Sequence, residues 1–154
     1  MDQSEATIST SRTTQEFKQQ LVEAFQKLQP GQVFTWRRTF TDGDVTQFCG
    51  VTGDHNPYHI DDLFVRDTWY GRRIIPGLLT GSMITHIGGR LGFIAMEMNF
   101  KYLAPVYVGD TVTCTVTINE KDEKRRLIKA RATMVNHNGV EVLDSRFEGF
   151  PSLI

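Results

Sequence analysis

Asp54, Asn56, Pro57 and His59 stand within the six-residue run D-H-N-P-Y-H. A carboxylate and an imidazole this close in sequence can hold one water between them. One takes its proton while the other returns a proton to a substrate. Burial and mutual influence bring either group toward neutrality. Pro57 sets its own φ and restricts Asn56 before it, so the loop presents its side chains in a defined geometry. Asn56 can hydrogen-bond within the loop or to the Asp–His pair. The same residues are also ordinary turn and capping residues, and the spacing alone leaves both readings open. His55 adjoins the pair, but no Cys/His cluster supplies the further ligands that a metal site needs. His86 reads as a helix residue and His137 as a hairpin-tip residue, neither with a chemical role.

Gly77 opens a helical stretch and is the second candidate. An unpaired backbone N–H at a helix start, backed by the helix dipole, can bond an oxygen that gains negative charge. On a thioester carbonyl this acidifies the α-carbon and makes the β-carbon electrophilic, which water addition to an α,β-unsaturated thioester requires. A glycine at this point also leaves room for an acyl group. A glycine selected for packing alone accounts for the residue equally well.

These residues need a scaffold. Residues 1–12 are polar and expected to be mobile. Thr13 and Glu16 have the spacing of a capping box; behind them Phe17, Leu21, Ala24, Phe25 and Leu28 recur at helical spacing until Pro30-Gly31. This helix is expected to pack on the domain, with a lid over the site as the alternative. Val33 to Phe40 reads as a strand with Phe34, Trp36 and Phe40 on one face. Thr41 caps a short helix that turns Val45, Phe48 and Cys49 inward. Gly53 to Tyr58 is a loop, followed by a helical piece over Asp61 to Val65.

Gly77 to Leu91 is helical in spacing, apolar on much of its surface, and carries Gly77, Gly81, Thr85 and Gly88 along one stripe. Each glycine inside a helix costs about 1 kcal/mol relative to alanine. Such a stripe points to close backbone approach, as in a buried central helix lying against a sheet. The remainder reads as β: Ala95 to Tyr102, Thr111 to Ile118, Arg126 to Val135, a hairpin at Asn138-Gly139, and Val140 to Phe150. Alternation falters near Leu143, which marks a bulge. Lys121 to Arg126 reads as a solvated turn. The order predicts an α+β fold, with a curved antiparallel meander of four strands wrapped around a long central helix. The division is a polar tail with an amphipathic helix over residues 1–30 and a single domain over residues 31–154.

At 154 residues, 40% of them hydrophobic, the chain is long enough for one core. A formal net charge of -1 supplies no basic field for a nucleic acid. No apolar run is long enough for a bilayer, and the N-terminus lacks the apolar stretch of a secretory signal. Cys49 and Cys114 read as buried free thiols, in keeping with the cytoplasm.

Three blocks of this sequence resemble one family. VTGDHNPYHIDDLFV is similar to the D-x-N-P-x-H signature of MaoC-like dehydratases and R-specific enoyl-CoA hydratases. GRRIIPGLLTGSMIT resembles the segment in which that family's His-Gly opens the central helix, and FKYLAPVYVGDTVTCTV its F-x-x-P-V-x-x-G-D strand and turn. They occur in the family's order and spacing, and the likeness extends over about residues 33 to 150. The resemblance implies a hot-dog fold and a homodimer. It also implies hydration of trans-2-enoyl thioesters to (R)-3-hydroxyacyl thioesters, or the reverse, with no metal and no redox cofactor. By motif, Asp54 and His59 match the acid/base pair, Asn56 its supporting residue, and Gly77 the donor to the thioester carbonyl. Tyr58 and Leu78 beside them are expected to contact the substrate. Pro76 departs from the family's histidine; proline suits a helix start, so Gly77 still has its N–H to donate. The N-terminal helix lies outside the minimal pattern.

The substrate is expected to be carried on CoA or acyl carrier protein, with Arg72, Arg73, Arg90 and Lys101 as possible phosphate contacts. Fold does not set function, so an acyl-CoA thioesterase and a non-catalytic acyl-thioester binding module are the alternatives.

Overall fold

The computed structural model describes residues 10–151, with side chains from Gln15 to Phe150. Most of the expected polar tail lies outside the described residues. Helix α1 covers Thr10–Lys27, strand β1 Val33–Thr39 and α2 Asp42–Thr52, followed by the short helices α3 Pro57–Ile60 and α4 Asp62–Arg66. Two helical segments follow, α5 Gly77–Gly81 and α6 Met83–Arg90, and then the strands β2 Phe93–Tyr102, β3 Thr111–Asp122, β4 Leu127–Asn136 and β5 Glu141–Pro151. The strands form a single antiparallel sheet in the order β1-β3-β4-β5-β2.

That order corrects the expected four-strand meander. Only β3, β4 and β5 run as consecutive neighbours, while β2 pairs with β5 at the far edge and β1 takes the other side of β3. Alternation tells which face a side chain takes but not which strand lies beside it. The segment 103–110 makes the crossover. Leu103 and Ala104 donate to the Val142 carbonyl at 3.0 and 3.4 Å, and Phe40 N–H bonds the Asp110 carbonyl at 3.0 Å. Val142 is the extra residue of a bulge, since Met134 pairs with Leu143 and Val135 with Glu141. The irregularity expected near Leu143 is thus present, one residue earlier.

The central helix is in two pieces. Ser82 interrupts it: its hydroxyl bonds the Leu79 carbonyl at 2.6 Å, and the Thr85 hydroxyl bonds the Ser82 carbonyl at 2.6 Å. Such back-bonding competes with the regular ladder. The glycine stripe does meet the sheet closely. A Cβ at Gly77 would lie 2.8 Å from Tyr102 Cε1, and one at Gly81 would lie 2.9 Å from Phe100 Cε1. Small residues on the facing strands, Ala132 and Ser145, are buried in the row that continues to Phe100.

Helix α1 packs through Leu21 and Phe25, with Leu28 just past its end, all buried, which is the expected packing role. Its start differs: helix extends back to Thr10, so Thr13 is inside it. Nothing in Thr10–Arg12 breaks a helix, so the capping-box pattern at Thr13 does not end it. The turn at Lys121 to Arg126 is exposed at Glu123, Lys124 and Arg125, as expected, but not at its two ends. Lys121 Nζ and Arg126 Cζ each sit 4.6 Å from the Phe25 ring centroid, and the Lys121 side chain is only 5% exposed. The two cations clasp an aromatic ring of α1 rather than standing free in water.

Candidate active site

Helix α2 is held at its start by a full capping box between Thr41 and Asp44, and it ends at Gly53 in the left-handed region (φ 74°). That turn delivers Asp54. The Asp54 N–H bonds Thr52 Oγ1 at 3.2 Å, and Asp54 Oδ1 accepts from Asn56 N–H at 3.2 Å. Asn56 then caps α3, its Oδ1 accepting from Tyr58 N–H at 3.2 Å, with Pro57 at the first helical position. Asn56 thus bonds within the loop and carries both partners' geometry. His59 is the third residue of α3.

His59 is buried, its side chain 11% exposed, whereas that of Asp54 is 44% exposed. The Nδ1 atom is 2.8 Å from the Ile74 carbonyl oxygen. A carbonyl only accepts, so Nδ1 carries the proton and Nε2 is left facing Asp54. Nε2 and Asp54 Oδ2 are 3.6 Å apart. The gap is too wide for a direct hydrogen bond, and a single water can touch both.

Ile74 is in turn secured by the crossover. It forms a β-bridge with Tyr107, Ile75 N–H bonds the Val106 carbonyl at 2.7 Å, and Ile74 N–H bonds the Tyr58 carbonyl at 3.1 Å. Arg73 ties this segment to two helices, with Nη2 2.7 Å from Asp42 and Nε 2.7 Å from Asp62. Those bonds hold its pKa above the ordinary value, through Asp62 first. Arg73 is therefore engaged and not free for a phosphate. Arg72 lies 4.1 Å over the Tyr107 ring with its side chain 61% exposed.

A cavity of about 310 Å³ opens beside His59. His59, Gly77, Thr80, Tyr70, Tyr102 and Val142 are among its walls. Gly77 follows Pro76, and the first bond of the helix runs from Thr80 N–H to the Pro76 carbonyl at 3.1 Å. The Gly77 N–H therefore belongs to the unsatisfied set at a helix start. The structure brings His59 and Gly77 to one cavity, with Asp54 across from His59. Asp54, Asn56, Tyr58 and Leu78 do not line it. Tyr58 packs edge-on against Tyr70, 5.5 Å between centroids, and Leu78 is 60% exposed. A larger hollow of about 670 Å³ lies on the outer face of the sheet among Glu97, Lys129, Arg131 and Arg146, away from all of these residues.

Sequence reasoning missed the Ile74 carbonyl and the walls from Trp69, Tyr70 and residues 102–106. A backbone acceptor has no sequence signal. The block FKYLAPV was visible as a motif, but its placement against the cavity depends on the crossover.

A family model described as a MaoC like domain matches residues 24–139. The (R)-specific enoyl-CoA hydratase of Rhodospirillum rubrum is 31% identical over 117 residues, spanning 73% of this chain and 81% of that protein. The 3-hydroxybutyryl-CoA dehydratase of Methylorubrum extorquens is 32% identical, spanning 71% of this chain and 72% of that protein. Among solved structures, the (R)-hydratase from Aeromonas caviae superposes with a TM-score of 0.77 at 26% identity, covering 81% of this chain and 98% of that one. The unliganded R-hydratase from Pseudomonas aeruginosa gives 0.78 at 25% identity, covering 84% and 86%. The chain therefore belongs to the MaoC-like dehydratase family of enoyl-CoA hydratases and 3-hydroxyacyl dehydratases, and is a lyase with the hot-dog fold.

Proposed function

We propose that this enzyme reversibly hydrates a trans-2-enoyl thioester to the (R)-3-hydroxyacyl thioester, using Asp54, His59 and Gly77. The observation that carries this reading is the 3.6 Å gap between Asp54 Oδ2 and His59 Nε2, with the His59 tautomer set by the Ile74 carbonyl. Water in that gap loses one proton to the pair as its oxygen bonds the β-carbon. The π electrons move toward the thioester, and the charge gathers on the carbonyl oxygen against the Gly77 N–H. The α-carbon then takes a proton from the pair, which restores the thioester and leaves the site ready for another water. Adding water across the double bond changes no net oxidation state, so the reaction calls for no redox cofactor, and in this reading the Gly77 N–H polarises the carbonyl.

Asn56 supports the pair by capping α3, and Tyr58 supports the cavity wall through Tyr70. Leu78, exposed beside Gly77, is left as a contact for substrate outside the cavity. The (R) configuration is supported by the names of the Rhodospirillum and Aeromonas relatives. Relatives named for CoA and for acyl-carrier-protein substrates leave both carriers within this reading.

A homodimer belongs to the same reading. Strand β2 is an edge of the sheet, and Ile94 and Met96 on it are 51% and 60% exposed. A single-chain mass by light scattering at micromolar concentration contradicts the homodimer. The cytoplasm is the compartment that goes with this reading, in keeping with Cys49 and Cys114 as free thiols.

Crotonyl-CoA tests the reaction. Loss of enoyl absorbance with no thiol released supports hydration, and release of free CoA indicates a thioesterase instead. No change with any member of a graded enoyl-CoA series overturns the proposal.

A further inference from the structure

Ile74 meets α3 twice, and both contacts bear on His59. Its N–H bonds the Tyr58 carbonyl at 3.1 Å, and its carbonyl accepts from His59 Nδ1 at 2.8 Å. The residue before it, Arg73, reaches the helices on either side of α3. Its Nη2 lies 2.7 Å from Asp42 Oδ1, at the first position of α2. Its Nε lies 2.7 Å from Asp62 Oδ1, at the first position of α4. The chain between Asp42 and Asp62 carries both Asp54 and His59. One guanidinium therefore pins both ends of the segment that holds the acid/base pair.

The side chains of Asp42 and Asp62 are 62% and 74% exposed, so these ion pairs add little to stability. What they set is direction. A guanidinium is a planar fork with fixed donors, and two carboxylates bonded to one fork are held at one separation. The Arg73 side chain is itself only 20% exposed. Its backbone is tied less firmly: the Arg73 carbonyl is met by the Val108 N–H at 3.5 Å, longer than an ordinary hydrogen bond. The side chain thus supplies an anchor beside Ile74 that the backbone there lacks. If the fork is lost, α2 and α4 can shift against Ile74, and the gap between Asp54 and His59 shifts with them.

We propose that Arg73 is a positioning residue of the hydration, holding Asp54 and His59 at the separation that admits one water. The inference rests on the acid/base reading of that pair given above. Arg73 does not line the cavity; it acts through Asp42, Asp62 and the Ile74 backbone. A displacement of ~1 Å at a reacting group costs about 10²-fold in rate, so a small slip of either helix is enough.

The experiment measures kcat and KM for the native protein, Arg73→Gln and Arg73→Lys. The substrates are crotonyl-CoA and crotonyl-N-acetylcysteamine, which lacks the CoA phosphates. Arg73→Gln is expected to lower kcat by ~100-fold with either substrate and to leave KM close to the native value. Arg73→Lys is expected to fall nearly as far, since it offers one charge without the fork. The melting temperature is expected to stay near the native one in both. If Arg73→Gln does not fold, as judged by circular dichroism, Asp42→Asn combined with Asp62→Asn serves, since it empties both arms of the fork. The ring ¹⁵N spectrum of His59, assigned against His59→Gln, reads the geometry without turnover. In the native protein the proton is expected on Nδ1, and in Arg73→Gln it is expected to be shared with Nε2.

A rise in KM confined to crotonyl-CoA, with kcat unchanged, makes Arg73 a phosphate contact and overturns the proposal. A native kcat in Arg73→Gln overturns it as well and leaves hydration standing. So does a fall in kcat with the His59 proton unmoved, which assigns the loss to something other than the pair. A redistributed His59 proton in Arg73→Gln, where the native protein hydrates neither substrate, sustains the positioning and removes the hydratase reading.

Discussion

Asp54 Oδ2 faces His59 Nε2 across 3.6 Å, while the other oxygen of Asp54 is held by the Asn56 N–H and the other nitrogen of His59 by the Ile74 carbonyl. Each partner thus has one atom committed to the protein backbone and one turned to the gap. In the proposed hydration, two groups arranged in this way take both protons of one water as hydrogen bonds and leave its oxygen lone pairs free to attack. The backbone contacts set the direction in which each group can act, and the gap sets what they act on.

Asp54→Asn and His59→Gln are each expected to lower kcat for enoyl-CoA hydration by about 10²- to 10⁴-fold, the usual contribution of a positioned acid or base. The two changes made together are expected to cost little more than one alone, because the pair acts as a unit on one water. Enoyl absorbance reports the rate, and the melting temperature is expected to stay close to the native value. Undiminished turnover in both variants would falsify the assigned mechanism.

Gly149→Ala is expected to destabilise the fold by about 2 kcal/mol or more, as overpacking of a closed site does. Gly149 pairs with Ala95 where β2 shifts register. A Cβ there would fall onto the Ile94 carbonyl oxygen and come within 2.9 Å of Ala95 Cα. Both are backbone atoms, so no side chain can swing aside. Urea unfolding reads the change, and a midpoint equal to the native one would show that the β2–β5 pairing yields more easily than its packing implies.

Ser145→Ala is expected to be neutral or stabilising, by up to about 1 kcal/mol. Ser145 is 1% exposed, and its Oγ has no hydrogen-bond partner among the described residues. Its row is otherwise apolar, with Ala132 directly opposite on β4 and Phe100 on β2. Losing an unpaired buried hydroxyl removes a desolvation cost without opening a large void. A loss of stability well beyond that magnitude would mean that the hydroxyl is bonded in solution.

Cys114 is expected to resist thiol reagents in the native protein and to react once the chain is denatured. Burial pushes its pKa from 9.0 up to about 12. The folded state therefore keeps the proton where the unfolded chain has lost it. Stability from this thiol is fully present below pH 9.0 and is lost as the pH rises toward about 12. Cys49 shifts upward for the same reason, burial first and the nearby Asp54 charge second. An Ellman-type titration counts reactive thiols before and after denaturant, and rapid native reaction at neutral pH contradicts the burial of both.

Much of this molecule is legible in its sequence. The alternation in Thr111 to Ile118 and Arg126 to Val135 assigns Val112, Cys114, Ala130, Ala132 and Met134 to the buried face, where they are found. The D-H-N-P-Y-H loop announces its own geometry, because Pro57 and Asn56 act on neighbours one or two residues away. Local chemistry of that kind also accounts for the Thr41 cap and for the glycine stripe of the central helix. It misleads at Thr13, where a capping pattern lies within a helix, and at Lys121 and Arg126, whose charges are spent on Phe25 nearly a hundred positions earlier.

By itself, then, the sequence determined which residues share a face, which ones can exchange protons, and which family the chain resembles, since all of these depend on residue type and short spacing. Only the tertiary structure decided that β2 lies beside β5, that the Ile74 carbonyl orients His59, and that Tyr102 fills the space above Gly77. Those contacts join segments far apart along the chain. They form because a curved sheet must close around one helix, a condition that no local pattern of residues can express.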